Sequence, residues 1–334
     1  MFLNYIKSNR PSYVLLIPII GIALWVQTFL SDKINIFPFD VTPMPLFYLL
    51  EYYLKPLPIL YNSLGFVLIL AMAFLILRLN EKHEIIVSRS YLPALSLIIL
   101  QSSFLPLNRL HPGLIATLIF LVVISKLFDS YKDDSLFSNF FDAGFLISLS
   151  SLFYFNSIYL MLILWITMVV LGRFSFRFWT LSTIGFIAPH FLAWSYFYAS
   201  GDLDWFYDLI ENNFLLKNSL ILLHIGDYVL FLFILILIVI ANFKIVPSLR
   251  TSKISTRKYL HTLFAIFIIE ILMIIFIPSI SLEMLSLVSV PVSLLLSYFL
   301  INIRNKWIGD IIILVFIILL LGEQLFPALY KYFT

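Results

Sequence analysis

Several stretches of this 334-residue chain run without a charged side chain. Each is about 20 residues long, the length a helix rising ~1.5 Å per residue needs to cross ~30 Å of hydrocarbon. A helix satisfies its own backbone N–H and C=O groups, which an open strand in lipid does not, so these stretches point to a helical membrane bundle. Only 12% of the residues are charged and 62% are hydrophobic, against about 25% charged in a soluble domain. So few charges cannot build a water-facing surface.

Apolar segments fall near 11–30, 57–77, 91–107, 112–128, 142–155, 157–172, 178–199, 219–242, 259–278, 284–302 and 309–326. The expected fold is all-α, a polytopic transmembrane bundle of about eleven spans forming one integral membrane domain over 1–334. No soluble stretch exceeds about 25 residues, well short of an independent domain. The first segment follows Lys7 and Arg10 but has no small-x-small cleavage site, so it reads as a retained helix and not as a removed signal. The segment 142–155 is short. The tight Phe155-Asn156-Ser157 junction behind it leaves open a hairpin that enters deeply without a full first crossing.

Lysine and arginine orient the bundle, because short cytoplasmic loops carry their excess. With the N-terminus in the cytoplasm, 16 of the 21 fall in inner segments, among them Arg78, Lys82, Lys126, Arg173, Lys253 and Lys258. Lys33, Lys55, Arg109, Lys217 and Lys331 fall outside, as does the C-terminus. The formal charge of +3 is scattered over short loops, which argues against nucleic-acid binding and for contact with membrane lipids. Without cysteine there is no thiol nucleophile and no thiolate metal site.

Two outer loops stand apart. Residues 31–56 carry Asp32, Asp40 and Glu51, and the aromatic stretch 45–54 has the composition of an interfacial helix. Residues 200–218 carry Asp202, Asp204, Asp208 and Glu211 around Trp205 and Phe206. No phosphate-cradling glycine loop, metalloprotease motif or serine elbow is present, so an enzyme here would be of a membrane kind.

Two constellations could carry chemistry. On the outer face, Asp32 and Asp40 follow the first segment, and Asn108-Arg109-Leu110-His111 forms the short turn between the third and fourth. A carboxylate acting as base beside a guanidinium that binds a phosphate suffices to transfer a sugar from a lipid-linked donor. The same residues also fit solvated loop acids and a headgroup anchor. Within the bilayer, His190, Asp227 and Glu270 lie at similar distances from the outer ends of three consecutive segments, with His224 one turn above Asp227. Such a layer suits a proton relay, a cation site or a cavity floor, or else polar contacts between helices. It lacks ligand spacing for zinc, and no metal is assigned.

The order of elements, together with Asp142-Ala-Gly-Phe-Leu-Ile-Ser-Leu-Ser-Ser-Leu-Phe-Tyr-Phe-Asn-Ser, Arg173 to Arg177 and Ser182-Thr-Ile-Gly-Phe-Ile-Ala-Pro, resembles the membrane-embedded GT-C glycosyltransferases. The likeness is clearest over residues 1–200. The chain also resembles an uncharacterised family of bacterial polytopic membrane proteins sharing Asn-x-Leu-His-Pro and Asp-Ala-Gly-Phe-Leu.

The resemblance implies a bacterial inner (cytoplasmic) membrane and a polyprenyl-phosphate sugar donor used on the outer side. It places the catalytic base or metal ligand on Asp40 or Asp32, so that a divalent cation is the cofactor it would admit. Carrier-phosphate binding it places on Arg109 and His111. The acids stand eight residues apart instead of forming an adjacent pair, a departure from the GT-C pattern. Two other functions fit the sequence: a non-catalytic subunit or assembly factor of a cell-envelope complex, with a small membrane-protein partner, and a proton- or ion-coupled transporter built on the polar layer.

Overall fold

The structure, a computed structural model, describes residues 14–30, 42–86, 90–104, 107–132, 137–215, 225–248, 253–303 and 306–333. Among them it is all-helical, without a strand. The elements are α1 (Leu16–Leu30), α2 (Pro45–Leu54), α3 (Pro58–His83), α4 (Leu92–Gln101), α5 (Pro112–Lys132) and α6 (Ser138–Ser151). A 3₁₀ turn at Phe155–Tyr159 leads into α7 (Leu160–Leu171), α8 (Phe176–Ser200), α9 (Leu203–Leu215) and α10 (Ile225–Ser248). The series closes with α11 (Ile254–Phe276), α12 (Met284–Asn302) and α13 (Lys306–Phe333).

Each of the eleven apolar segments contains a helix. Four of the described helices are long and apolar enough to cross a membrane: Pro58–His83, Pro112–Tyr131, Ile254–Phe276 and Met284–Asn302. Others are shorter, such as the ten residues of α4, which rise ~15 Å. The aromatic stretch of the first outer loop is helical as α2, opened by Pro45 at its first turn, where proline's missing N–H costs nothing. The Phe155-Asn156-Ser157 junction is the 3₁₀ turn through which the chain reverses from α6 into α7.

Large apolar side chains cover the outside as well as the core. Ile59, Val67, Ile184, Phe191, Leu192, Ile275 and Phe276 are all exposed. In water a continuous apolar exterior costs ~25 cal/mol per Å², and a helical bundle with such a surface is suited to lipid.

The core is centred on α12, where 16 residues are buried. This helix packs on α4, α5, α10 and α11. It carries Ser286, Ser289, Ser293 and Ser297 at about one-turn intervals, and the last three turn their hydroxyls back to the helix: Ser293 Oγ donates to Val290 O at 2.8 Å and Ser297 Oγ to Ser293 O at 2.6 Å. Polar atoms are thereby satisfied and the small side chains admit close neighbours.

The closest helix pair is α6 with α8. A Cβ on Gly144 would stand 2.0 Å from Ser182 O, and one on Gly185 would stand 2.2 Å from Phe141 O. The backbones touch because each helix offers a glycine where the other's carbonyl passes.

The basic segments gather at one end. Lys82 and His83 meet Asp129, Lys126 meets Asp142, and Lys253 meets Glu84. Arg173 donates to Tyr131 O at 2.8 Å and Lys258 to Val170 O at 3.0 Å. All lie in segments that the charge bias assigns to the cytoplasm. The opposite end holds the candidate site.

Candidate functional site

The turn Leu107–His111 follows from its neighbours. Thr28 Oγ1 of α1 donates to Asn108 O at 2.7 Å, and Tyr61 Oη of α3 donates to Leu110 O at 2.9 Å. Asn108 Nδ2 donates to Ser102 O at 3.4 Å, closing the turn on itself. Its backbone rests on α3 at Gly65, where a Cβ would approach Leu110 N to 2.9 Å. Two helices therefore hold the backbone around Arg109 while its side chain remains half-buried. Burial weakens the guanidinium's hold on its proton and the nearby Tyr61 strengthens it; arginine stays charged either way.

His111 is fully buried. Burial first, and the charge of Arg109 second, hold its imidazole far below the ordinary 6.5, at about 3, so the ring is neutral. Its Nε2 lies 3.4 Å from Ser286 Oγ of α12. Ser286 Oγ donates to Gln101 Oε1 at 2.9 Å, and Gln101 Nε2 donates to Ser289 Oγ at 2.8 Å. Glu283 stands at the N-cap position of α12 without a side-chain bond to the helix, and is 1% exposed. Burial pushes its carboxyl up from 4.5 to about 8, with the Ser281 hydroxyl opposing. Ser281 Oγ contacts Glu283 Oε2 at 3.5 Å and Tyr154 Oη at 2.9 Å, and Asn156 Nδ2 donates to Tyr154 Oη at 3.3 Å. The head of α12 thus carries two buried polar runs, one from the 3₁₀ turn to Glu283 and one from His111 to α4.

The two acidic outer loops meet. Asn213 Nδ2 of α9 donates to Thr42 O at 3.0 Å and lies 2.9 Å from Thr42 Oγ1. Met44 packs with Phe155 and Leu209, and the Tyr48 and Trp205 rings stand 6.2 Å apart. Thr42, Pro43 and Met44 line a small cleft together with Pro112, Phe153, Tyr154 and Phe155. Beyond it lies an apolar groove of about 400 Å³ walled by Phe155, Phe186, Phe191, Trp194, Phe206 and Ile210. His190 lines the groove, its Nε2 3.0 Å from Ser151 Oγ.

Of the residues the sequence singles out, Arg109 and His111 stand in one turn, but only Arg109 has a surface that a headgroup could reach. His190 and Glu270 are not joined: His190 is paired with Ser151, and neither carboxylate oxygen of the buried Glu270 has a hydrogen-bond partner. Asp32, Asp40 and His224 lie outside the described residues, as does the side chain of Asp227. No group of three or more metal-binding side chains occurs among the described residues.

Sequence reasoning passed over Glu283, Gln101 and Tyr154. The signal was there for Glu283, a lone acid at the head of an apolar segment with Ser286 three residues on.

Compared with known protein families, curated proteins and solved structures, the chain matches none.

Proposed function

We propose that this chain is a GT-C-like glycosyltransferase of about eleven spans in a bacterial inner membrane, its N-terminus cytoplasmic and its C-terminus periplasmic. It moves a sugar from a polyprenyl-phosphate donor to an acceptor on the outer side. One observation carries the reading: Thr42 and Pro112 line the same cleft. In the sequence Asp40 precedes Thr42 by two residues and Arg109 precedes Pro112 by three, a spacing that supports assigning the base and the phosphate clamp to one opening. A base and a clamp must act on one donor headgroup to be useful together. Arg109 supports the assignment, because a guanidinium offers a phosphate two parallel donors and the backbone on either side of it is held by two helices. Asp40, or Asp32 in its place, acts as general base on the acceptor hydroxyl or holds a divalent cation at the phosphate.

The test is sugar transfer by the protein reconstituted in lipid with a polyprenyl-phosphate sugar. Asp40→Asn abolishes transfer while donor binding persists. Arg109→Ala weakens donor binding, and Arg109→Lys restores it in part because an ammonium lacks the bidentate fork. Unchanged transfer in both Asp40→Asn and Arg109→Ala would overturn the mechanism.

A second reading, a non-catalytic subunit of a cell-envelope complex, is favoured by the aromatic groove under α9. Absence of transfer together with a stoichiometric small membrane protein co-purifying from native lipid would select it.

A further inference from the structure

Hydrogen-bond direction at the head of α12 leaves one link open. Ser286 Oγ gives its only proton to Gln101 Oε1, so toward His111 it can only accept. His111 therefore carries its proton on Nε2, and its Nδ1 presents a lone pair. That lone pair is buried and has no hydrogen-bond partner. On the other side, Asn156 Nδ2 donates to Tyr154 Oη, and Ser281 Oγ donates to Glu283 Oε2. Tyr154 Oη, with its hydroxyl proton still to place, then donates to Ser281 Oγ. Glu283 Oε1 is left buried and without a partner.

Glu283 and His111 Nδ1 both lie against Gly113. The position of a Gly113 Cβ lies 2.8 Å from Glu283 Cβ and 3.0 Å from His111 Nδ1. The Glu283 carboxyl, two carbons beyond its Cβ, has the reach to close the gap. One proton on Oε1 would complete a hydrogen-bond chain running in a single direction from Asn156 to Ser289.

We propose that Glu283 is kept as a neutral carboxylic acid whose O–H donates to His111 Nδ1, so that the head of α12 is a buried binding site for one proton. Helix polarity does not oppose this. The first N–H groups of α12 are already engaged, Met284 N with Ser281 O, Leu285 N with Leu282 O and Ser286 N with Glu283 O, so none is left to stabilise a carboxylate. The charged and titratable groups around the pair are Arg109 on the turn, Tyr61 on α3, Glu51 on α2 and Tyr154 after α6. Arg109 further disfavours a second proton on His111, and the burial of both partners disfavours separated charges. Loss of the proton breaks the chain and leaves a buried anion beside the turn that carries Arg109.

The test reads the proton directly in the full chain in lipid nanodiscs, and needs no transferase activity. The infrared spectrum at neutral pH contains a carboxylic acid C=O band that Glu283→Gln removes, that His111→Gln shifts, and that disappears in the unmutated protein as pH rises through about 8. Glu270→Gln assigns any band from the other buried carboxyl. In parallel, ¹⁵N-histidine spectra of the unmutated protein show one ring protonated on Nε2 with a hydrogen-bonded Nδ1, the signal that His111→Gln deletes. A spectrum unchanged by Glu283→Gln overturns the proposal. Should that variant fail to fold, spectra of the unmutated protein in which no ring has this tautomer overturn it equally.

Discussion

His111 and Glu283 depart from their ordinary proton affinities in opposite directions, and the signs set how stability responds to pH. Glu283 is raised from 4.5 to about 8, so between those values the folded protein holds a proton that the unfolded chain has released, and stability falls as pH rises. His111 is lowered from 6.5 to about 3, so over that window the unfolded chain binds more protons and stability rises with pH. From these two groups the slopes oppose between 4.5 and 6.5. Thermal unfolding in detergent across pH should therefore show a plateau in that interval, with a loss on the acid side and another between 6.5 and about 8. Glu283→Gln should remove the alkaline loss and leave the acid one. Arg109 and His111 were legible in the sequence, because a basic turn between two apolar segments is conspicuous. The surroundings of Glu283 were not, since Tyr154, which bonds its partner Ser281, and its neighbour Gly113 come from separate stretches of chain.

At the scale of elements, the α6–α8 contact shows what an apolar segment conceals. Both helices are visible as hydrophobic runs, yet the residues that join them are small: Gly144 on one, Ser182 and Gly185 on the other. Gly185→Leu should force the backbones apart and lower stability by about 1–3 kcal/mol or more, as overpacking does, read as a fall in melting temperature of the purified protein. Ser148→Ala on α6 should be neutral or slightly stabilising. Its buried hydroxyl oxygen has no partner, so removing it relieves a desolvation cost. Loss of stability in Ser148→Ala comparable to that in Gly185→Leu would show that the hydroxyl is bonded after all. The short helix α4 teaches the complementary lesson. Its ten residues are apolar enough to read as part of a span, but Gln101 at its end is fixed by Ser286 and Ser289 of α12 and not by any local rule.

For the whole molecule, the meeting of Lys82, Lys126, Arg173, Lys253 and Lys258 at one end of the bundle agrees with alternating helix directions. Reporters fused after residues 42 and 210 should read as external, and those after 84 and 252 as internal. An external reading at 252 would overturn both the orientation and the span count. The rough organisation was legible from charge-free length and from the placement of lysine and arginine, because the cost of burying charge in lipid acts on each segment separately.

Local physics in the sequence determined that the chain is helical, which segments are apolar, that stretch 45–54 is a helix of its own, and where the basic residues gather. Each of these depends on residues within a turn or a span of one another. Tertiary structure alone decided that α12 is the centre of the core, that the two acidic loops meet at Thr42 and Asn213, and that His111 and Glu283 both lie against Gly113. The physical reason is the same in each case. Burial and hydrogen-bond supply belong to the packed neighbours of a residue, here 185 positions away between Gln101 and Ser286, and a local pattern carries no record of them.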